Sequence, residues 1–111
     1  MTILKEIYNY KLIFVEKQKM INPLSSIKSK IKTNSDQNRS FYNKLKKESE
    51  KISIIGEIKR ASPSLGEFVS TNVDILELAK SYEYNDISCI SVLTDEKYFN
   101  GSINDLMLLG K

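Results

Sequence analysis

At 111 residues, 41% hydrophobic and 28% charged, the chain fits one small globular domain and is too apolar for a disordered protein. It has no histidine and a single cysteine, Cys89, which excludes Ser-His-Asp and Cys-His catalysis, leaves zinc without adequate ligands and rules out an internal disulfide. The net charge of +3 suits an anionic ligand and a Lys-rich solvated surface equally well.

No run nears the roughly eighteen apolar residues of a membrane span. The start, Met1 to Glu6, lacks the basic region and apolar core of a signal peptide. The expected location is therefore cytoplasmic, in agreement with the lone cysteine.

Residues 3 to 19 are predicted as a helix, because Ile3, Ile7, Tyr10 and Phe14 recur at helical spacing with Lys and Glu around them. Asn22-Pro23 reads as the start of a second helix, with Asn as cap and Pro at the first helical position. Leu24, Ile27 and Ile31 form its apolar face. Thr33 to Ser40 is wholly polar and reads as a loop. Phe41 to Lys51 is Lys/Glu-rich and reads as a short exposed helix.

The texture changes after Lys51. Ile52 to Ile58 is short and β-branched, as a buried strand is. Thr71-Asn72-Val73-Asp74 matches a capping box. Ile75, Leu78, Ala79 and Tyr82 then give the stripe of a helix ending near Asn85. Ile87 to Thr94 is a second apolar strand. A loop, Asp95 to Gly101, leads to a helix from Ser102 to Leu109, with Ser102 as cap and Asp105 three residues on. Strand, helix, strand, helix implies parallel strands joined by crossovers. Two such strands leave both outer edges unpaired. Residues 1–50 thus read as a helical extension and 51–111 as the opening of a larger α/β fold.

The chemistry gathers at the end of the first strand, Ile54-Ile55-Gly56-Glu57-Ile58-Lys59-Arg60, followed by Ala61-Ser62-Pro63-Ser64-Leu65-Gly66. Residues two apart in a strand share a face. Glu57 and Lys59 therefore point together, with Ile55 below. Ile52, Ile54, Gly56 and Ile58 face covering helices, and Gly56 lets one approach closely. Arg60, opposite to Lys59, reads as a surface residue. An acid–base pair at the C-terminal end of a parallel strand serves catalysis or ligand binding; a structural ion pair is the other reading. The Ser-Pro-Ser segment offers hydroxyls on a rigid turn and is by itself weak as a signal.

The run Glu57 to Ser64 with Gly66 resembles the first strand and loop of the indole-3-glycerol-phosphate synthase family. Ser91-Val92-Leu93-Thr94-Asp95-Glu96, with Tyr98-Phe99-Asn100-Gly101-Ser102 and Leu106, is similar to that family's second strand and loop. Ala79 and Tyr82 follow its helix pattern, and Pro23-Leu24-Ser25-Ser26-Ile27 resembles its N-terminal extension.

The resemblance implies an α/β chain: an N-terminal helical extension (1–50) plus the first two β/α units (51–111) of a (β/α)8 TIM barrel, incomplete as it stands. It implies a carboxy-lyase of tryptophan biosynthesis that closes and decarboxylates carboxyphenylamino-deoxyribulose phosphate without metal or organic cofactor. Lys59 would bind the anionic substrate and donate a proton, and Glu57 would orient Lys59 and the substrate amine. Ser62 would contact substrate from the loop, and Phe99 would pack on its aromatic ring, the other reading being a core or lid aromatic. The family's further catalytic Lys and Glu, and much of its phosphate site, belong to later strands. The expectation is a truncated chain without synthase activity of its own.

Three alternatives stand beside this one. One is another phosphate-binding barrel such as phosphoribosylanthranilate isomerase, against which the paired motifs argue. Another is the front of a bifunctional synthase–isomerase. The last is a small basic module binding nucleic acid through Lys28, Lys30, Lys32, Lys44, Lys46 and Lys47; no aromatic–basic platform accompanies those lysines. The expected partner is a phosphorylated small molecule, with no nucleic acid and no membrane.

Overall fold

A computed structural model of the chain describes residues 1–31, 39–46, 51–67 and 74–110. They fall into two compact units, Met1–Arg39 and Ser40–Lys111.

The first unit holds helix α1 (Ile3–Ile21) and helix α2 (Leu24–Lys30). Thr2 caps α1 through its hydroxyl, which accepts from the Lys5 amide at 3.3 Å. Within the predicted stripe the Tyr10 and Phe14 rings lie 5.9 Å apart, one turn of helix separating them. The boundary at residue 22 differs from expectation. Asn22 closes α1, its N–H donating to the Gln18 carbonyl at 2.8 Å, and makes no side-chain cap. Pro23 is the cap residue of α2, because its carbonyl accepts the first helical bond from Ile27 at 3.1 Å.

The second unit begins with α3 (Phe41–Lys46) and continues with strand β1 (Ile55–Ile58), the short strands β2 (Ala61–Ser62) and β3 (Gly66–Glu67), helix α4 (Ile75–Tyr84), strand β4 (Cys89–Val92), and helices α5 (Glu96–Phe99) and α6 (Ile103–Leu109). It is α/β in class. β1 and β4 pair in parallel, Ile55 with Cys89 through Ile58 with Val92. The Ile54 carbonyl accepts from Ser88 and Cys89, and the Ile58 carbonyl from Leu93 at 3.0 Å. Both strands are shorter than Ile52–Ile58 and Ile87–Thr94, because regular pairing extends only where the two overlap.

α4 covers one face of the pair. Ile58, 3% exposed, is buried with Ile75 and Ala79, and Leu78, Tyr82, Ile90 and Leu109 pack around them. The helix stripe and the outer face of the strand meet at Gly56 and Ile58, whereas Ile52 and Ile54, expected under covering helices, are 89% and 51% exposed. Gly56 is the point of closest approach, since a Cβ there would lie 2.8 Å from the Tyr82 ring and 3.0 Å from Ile87 Cγ2. On the other face Ile55 remains 49% exposed. Cys89, on that same face, is covered by α3, its thiol donating to the Phe41 carbonyl at 3.8 Å.

Other differences are local. Asp74 itself caps α4, accepting from Leu76 at 2.9 Å and Glu77 at 3.4 Å; the expected Thr71 box, the loop at 33–38 and the end of the third helix at 47–50 lie outside the described residues. The loop after Lys59 holds a two-residue antiparallel ladder, Ala61 with Glu67 and Ser62 with Gly66, which Gly66 closes at φ +67°. No helix among the described residues is long and apolar enough to cross a membrane.

Substituting Gly56→Ala forces the Tyr82 ring aside. The expected loss is about 1–3 kcal/mol, read as a lower urea midpoint with an unchanged slope; an unchanged midpoint would show that α4 does not rest on Gly56.

Candidate active site

Strand alternation sets the geometry. The carbonyls of Ile54 and Ile58 turn toward β4, so Glu57 turns its own carbonyl to the opposite edge, where the Tyr82 hydroxyl donates to it at 3.1 Å. The Glu57 side chain leaves the sheet on the face away from α4. Lys59 joins it there, its Nζ 3.2 Å from Glu57 Oε1, with the side chains 32% and 46% exposed respectively. The pair is open to solvent on one side and can still receive a ligand. Ser91, in register with Glu57, shares its face and is half-buried. Period-two counting across both predicted strands could have placed Ser91 beside the pair; only the register was missing.

Beyond Lys59 the chain bends, and Ser62 turns inward. It is 8% exposed. Its Oγ accepts from the Leu65 amide at 3.2 Å and lies 3.3 Å from Ser64 Oγ. The hydroxyl therefore shapes its own turn, with Ser64 and Leu65 on the outside.

Arg60 is not a surface residue. Its guanidinium meets the Asp105 carboxylate through two edges, Nη2–Oδ1 at 3.1 Å and Nε–Oδ2 at 3.4 Å, and the two side chains are 15% and 17% exposed. Facing away from Lys59 took it to the helix-covered side, where α6 supplies a counter-ion.

The segment after β4 is a short helix instead of a loop. Asp95 caps α5, its Oδ2 accepting from the Tyr98 amide at 2.7 Å. Asn100 ends it in the left-handed region at φ 53°, and the Gly101 amide donates to the Asp95 carbonyl at 2.8 Å. An Asp cap and an Asn-Gly stop were the available signals. Phe99, half-buried, is the last residue of α5, and α5 packs against β2, so the turns after the two strands are neighbours. Gly101 is buried against the Leu93 carbonyl, which occupies the space that a Cβ would need. Ser102 then caps α6, accepting from the Asp105 amide at 3.3 Å.

Residues 4–111 match the model of the indole-3-glycerol phosphate synthase family. An indole-3-glycerol phosphate synthase of Listeria welshimeri is 46% identical over 106 residues, a span that takes in 96% of this chain and 38% of that protein. A chloroplastic indole-3-glycerol phosphate synthase of Arabidopsis thaliana is 37% identical over 107 residues, 94% of this chain and 26% of that one. The tryptophan biosynthesis protein TrpCF of Buchnera aphidicola is 42% identical over 102 residues, 92% and 21% respectively. The chain spans well under half the length of these relatives.

Two outcomes follow from the geometry. Lys59→Met should leave the unfolding free energy within about 1 kcal/mol of the parent, because a half-exposed ion pair contributes little; a larger loss in a urea titration would make the pair a structural strut. Gly101→Ala should cost at least about 2 kcal/mol in the same titration, since backbone has to move to admit the methyl.

Proposed function

This chain belongs to the indole-3-glycerol phosphate synthase family, carboxy-lyases of tryptophan biosynthesis with a (β/α)8-barrel fold, and we propose that it supplies the opening part of such a barrel. Residues 51–111 would be its first two strand–helix units and residues 1–50 its N-terminal extension, whose last described helix, α3, reaches β4. The exposed face of the strand pair supports this reading. Parallel strands are covered on both faces in folded proteins, whereas Ile55 and the Glu57–Lys59 pair lie open opposite α4. A closed ring of strands would enclose that face.

The observation that carries the chemistry is the Glu57–Lys59 pair at the C-terminal end of β1, the end at which barrel enzymes assemble their sites. The substrate would be a phosphorylated carboxyphenylamino-deoxyribulose. Ring closure joins the aromatic carbon bearing the carboxylate to the ketone carbon, and the ketone oxygen needs a proton as that bond forms. The Lys59 ammonium would donate it. Carbon dioxide then leaves the ring carbon, its bonding electrons restoring the ring; the new hydroxyl takes up a proton and departs as water while the neighbouring methylene carbon gives one up to form the double bond. Glu57 would hold Lys59 in place and accept a hydrogen bond from the substrate amine. Ser62 would contact substrate through its hydroxyl, and Phe99 would pack on the aromatic ring.

The match to TrpCF covers 92% of this chain and fits the front of a synthase–isomerase equally well. Among the described residues, no observation favours the nucleic-acid reading; Lys32 and Lys47 lie outside them.

The purified 111-residue polypeptide is expected to form no indole-3-glycerol phosphate on its own; turnover by it would overturn the proposal of a partial barrel. Joined to the remaining strand–helix units of the Listeria welshimeri relative, it should turn over. There Lys59→Met should lower kcat/KM by roughly a hundredfold or more, the scale of a lost general acid. Turnover of that variant at the parent rate would remove Lys59 from the mechanism.

A further inference from the structure

Arg60 follows Lys59 in the chain yet makes its contact on the far side of the sheet, with a residue 45 positions away. Two parallel N–H···O contacts fix a guanidinium in plane as well as in place. Both partners are mostly buried, where such a pair is screened little by salt. Asp105 is held in turn, since its amide donates to Ser102 Oγ. Ser102 adjoins Gly101, which is wedged against the Leu93 carbonyl and bonded to the Asp95 carbonyl. Asp95 caps the helix that ends at Phe99. One continuous set of bonds therefore runs from Arg60 to the turn bearing Phe99.

We propose that Arg60 is a positioning residue: its two-edged pair with Asp105 fixes the end of β1, and with it the Lys59 side chain, relative to the turn between β4 and α6. The carboxylate neutralises the guanidinium, so Arg60 serves as a clamp and not as an open anion site. The catalytic consequence rests on the function proposed above; the positioning itself does not.

The test reads Lys59 directly. The 111-residue chain is prepared with lysine labelled by 13C at the ε carbon, and Lys59 is identified by the signal lost in Lys59→Arg. The charge-neutral double variant Arg60→Met/Asp105→Leu should lower the Lys59 order parameter to the range of exposed lysines such as Lys17. The exchanged pair Arg60→Asp/Asp105→Arg should restore it. Arg60→Lys keeps the charge without the fork and should fall between, which covers the event that the double variant does not fold. A Lys59 signal unchanged in Arg60→Lys and in the double variant, with only the unfolding midpoint lowered, would overturn the proposal and leave a purely structural clamp. In the completed barrel, Arg60→Met should lower kcat roughly tenfold to a hundredfold with KM within about twofold. If Lys59→Met has no effect on turnover there, the catalytic reading fails while the Lys59 dynamics still decide the positioning.

Discussion

Parallel pairing of Ile55–Ile58 with Cys89–Val92 is the constraint on which the second unit depends. Parallel strands require a crossover, and α4 provides it. Once α4 lies on one face, strand alternation leaves no freedom in assigning side chains. Gly56 and Ile58 go under the helix, while Ile55, Glu57 and Lys59 go to the other face. A one-residue slip would bury the charges and expose Ile58. The burial of Ile58 with Ile75 and Ala79 is therefore also what presents the acid–base pair.

Gly56 and Tyr82 connect the two sides of the strand. The missing side chain at 56 admits the Tyr82 ring, and the hydroxyl then reaches the Glu57 carbonyl at the edge facing away from β4. The peptide between the two charged residues is thus gripped from behind, while their side chains stay accessible in front. Rigid backbone with a solvent-open polar end is the combination a reacting site needs.

The second strand is followed by a more elaborate structure than a polar loop. Asp95, Asn100, Gly101 and Ser102 each perform a backbone task, as cap, left-handed stop, wedge and cap. Together they place four side-chain or backbone specialities within eight residues and hold Phe99 at the end of α5. Such a density of local devices suits a turn whose shape matters more than its length. Arg60 and Asp105 then tie this turn to the end of β1.

Much of this was legible in the sequence because it is local. Helical stripes, strand periodicity, the Ser102 cap and the shared face of Glu57 and Lys59 depend on residues no more than a few positions apart. The family was legible too, through two motifs whose order and residue types carry over directly. What remained hidden depended on distant partners. Arg60 faces outward by alternation, but only the docking of α6 decides that outward means buried against Asp105, 45 residues on. Ser62 is a loop hydroxyl in sequence and an inward turn residue in space, because β2 and β3 fold back on each other. Tyr82 reads as a core residue of its helix, and only packing across Gly56 brings its hydroxyl to Glu57, 25 residues earlier. The sequence by itself determined the two paired strands, the longer helices and the shared face of Glu57 and Lys59, since these follow from periods of two and 3.6 residues; it did not show α5 or the β2–β3 ladder. The tertiary structure alone decided that Arg60 pairs with Asp105, that the Tyr82 hydroxyl reaches Glu57 and how the two turns are held together, since those contacts join parts of the chain that no local pattern relates.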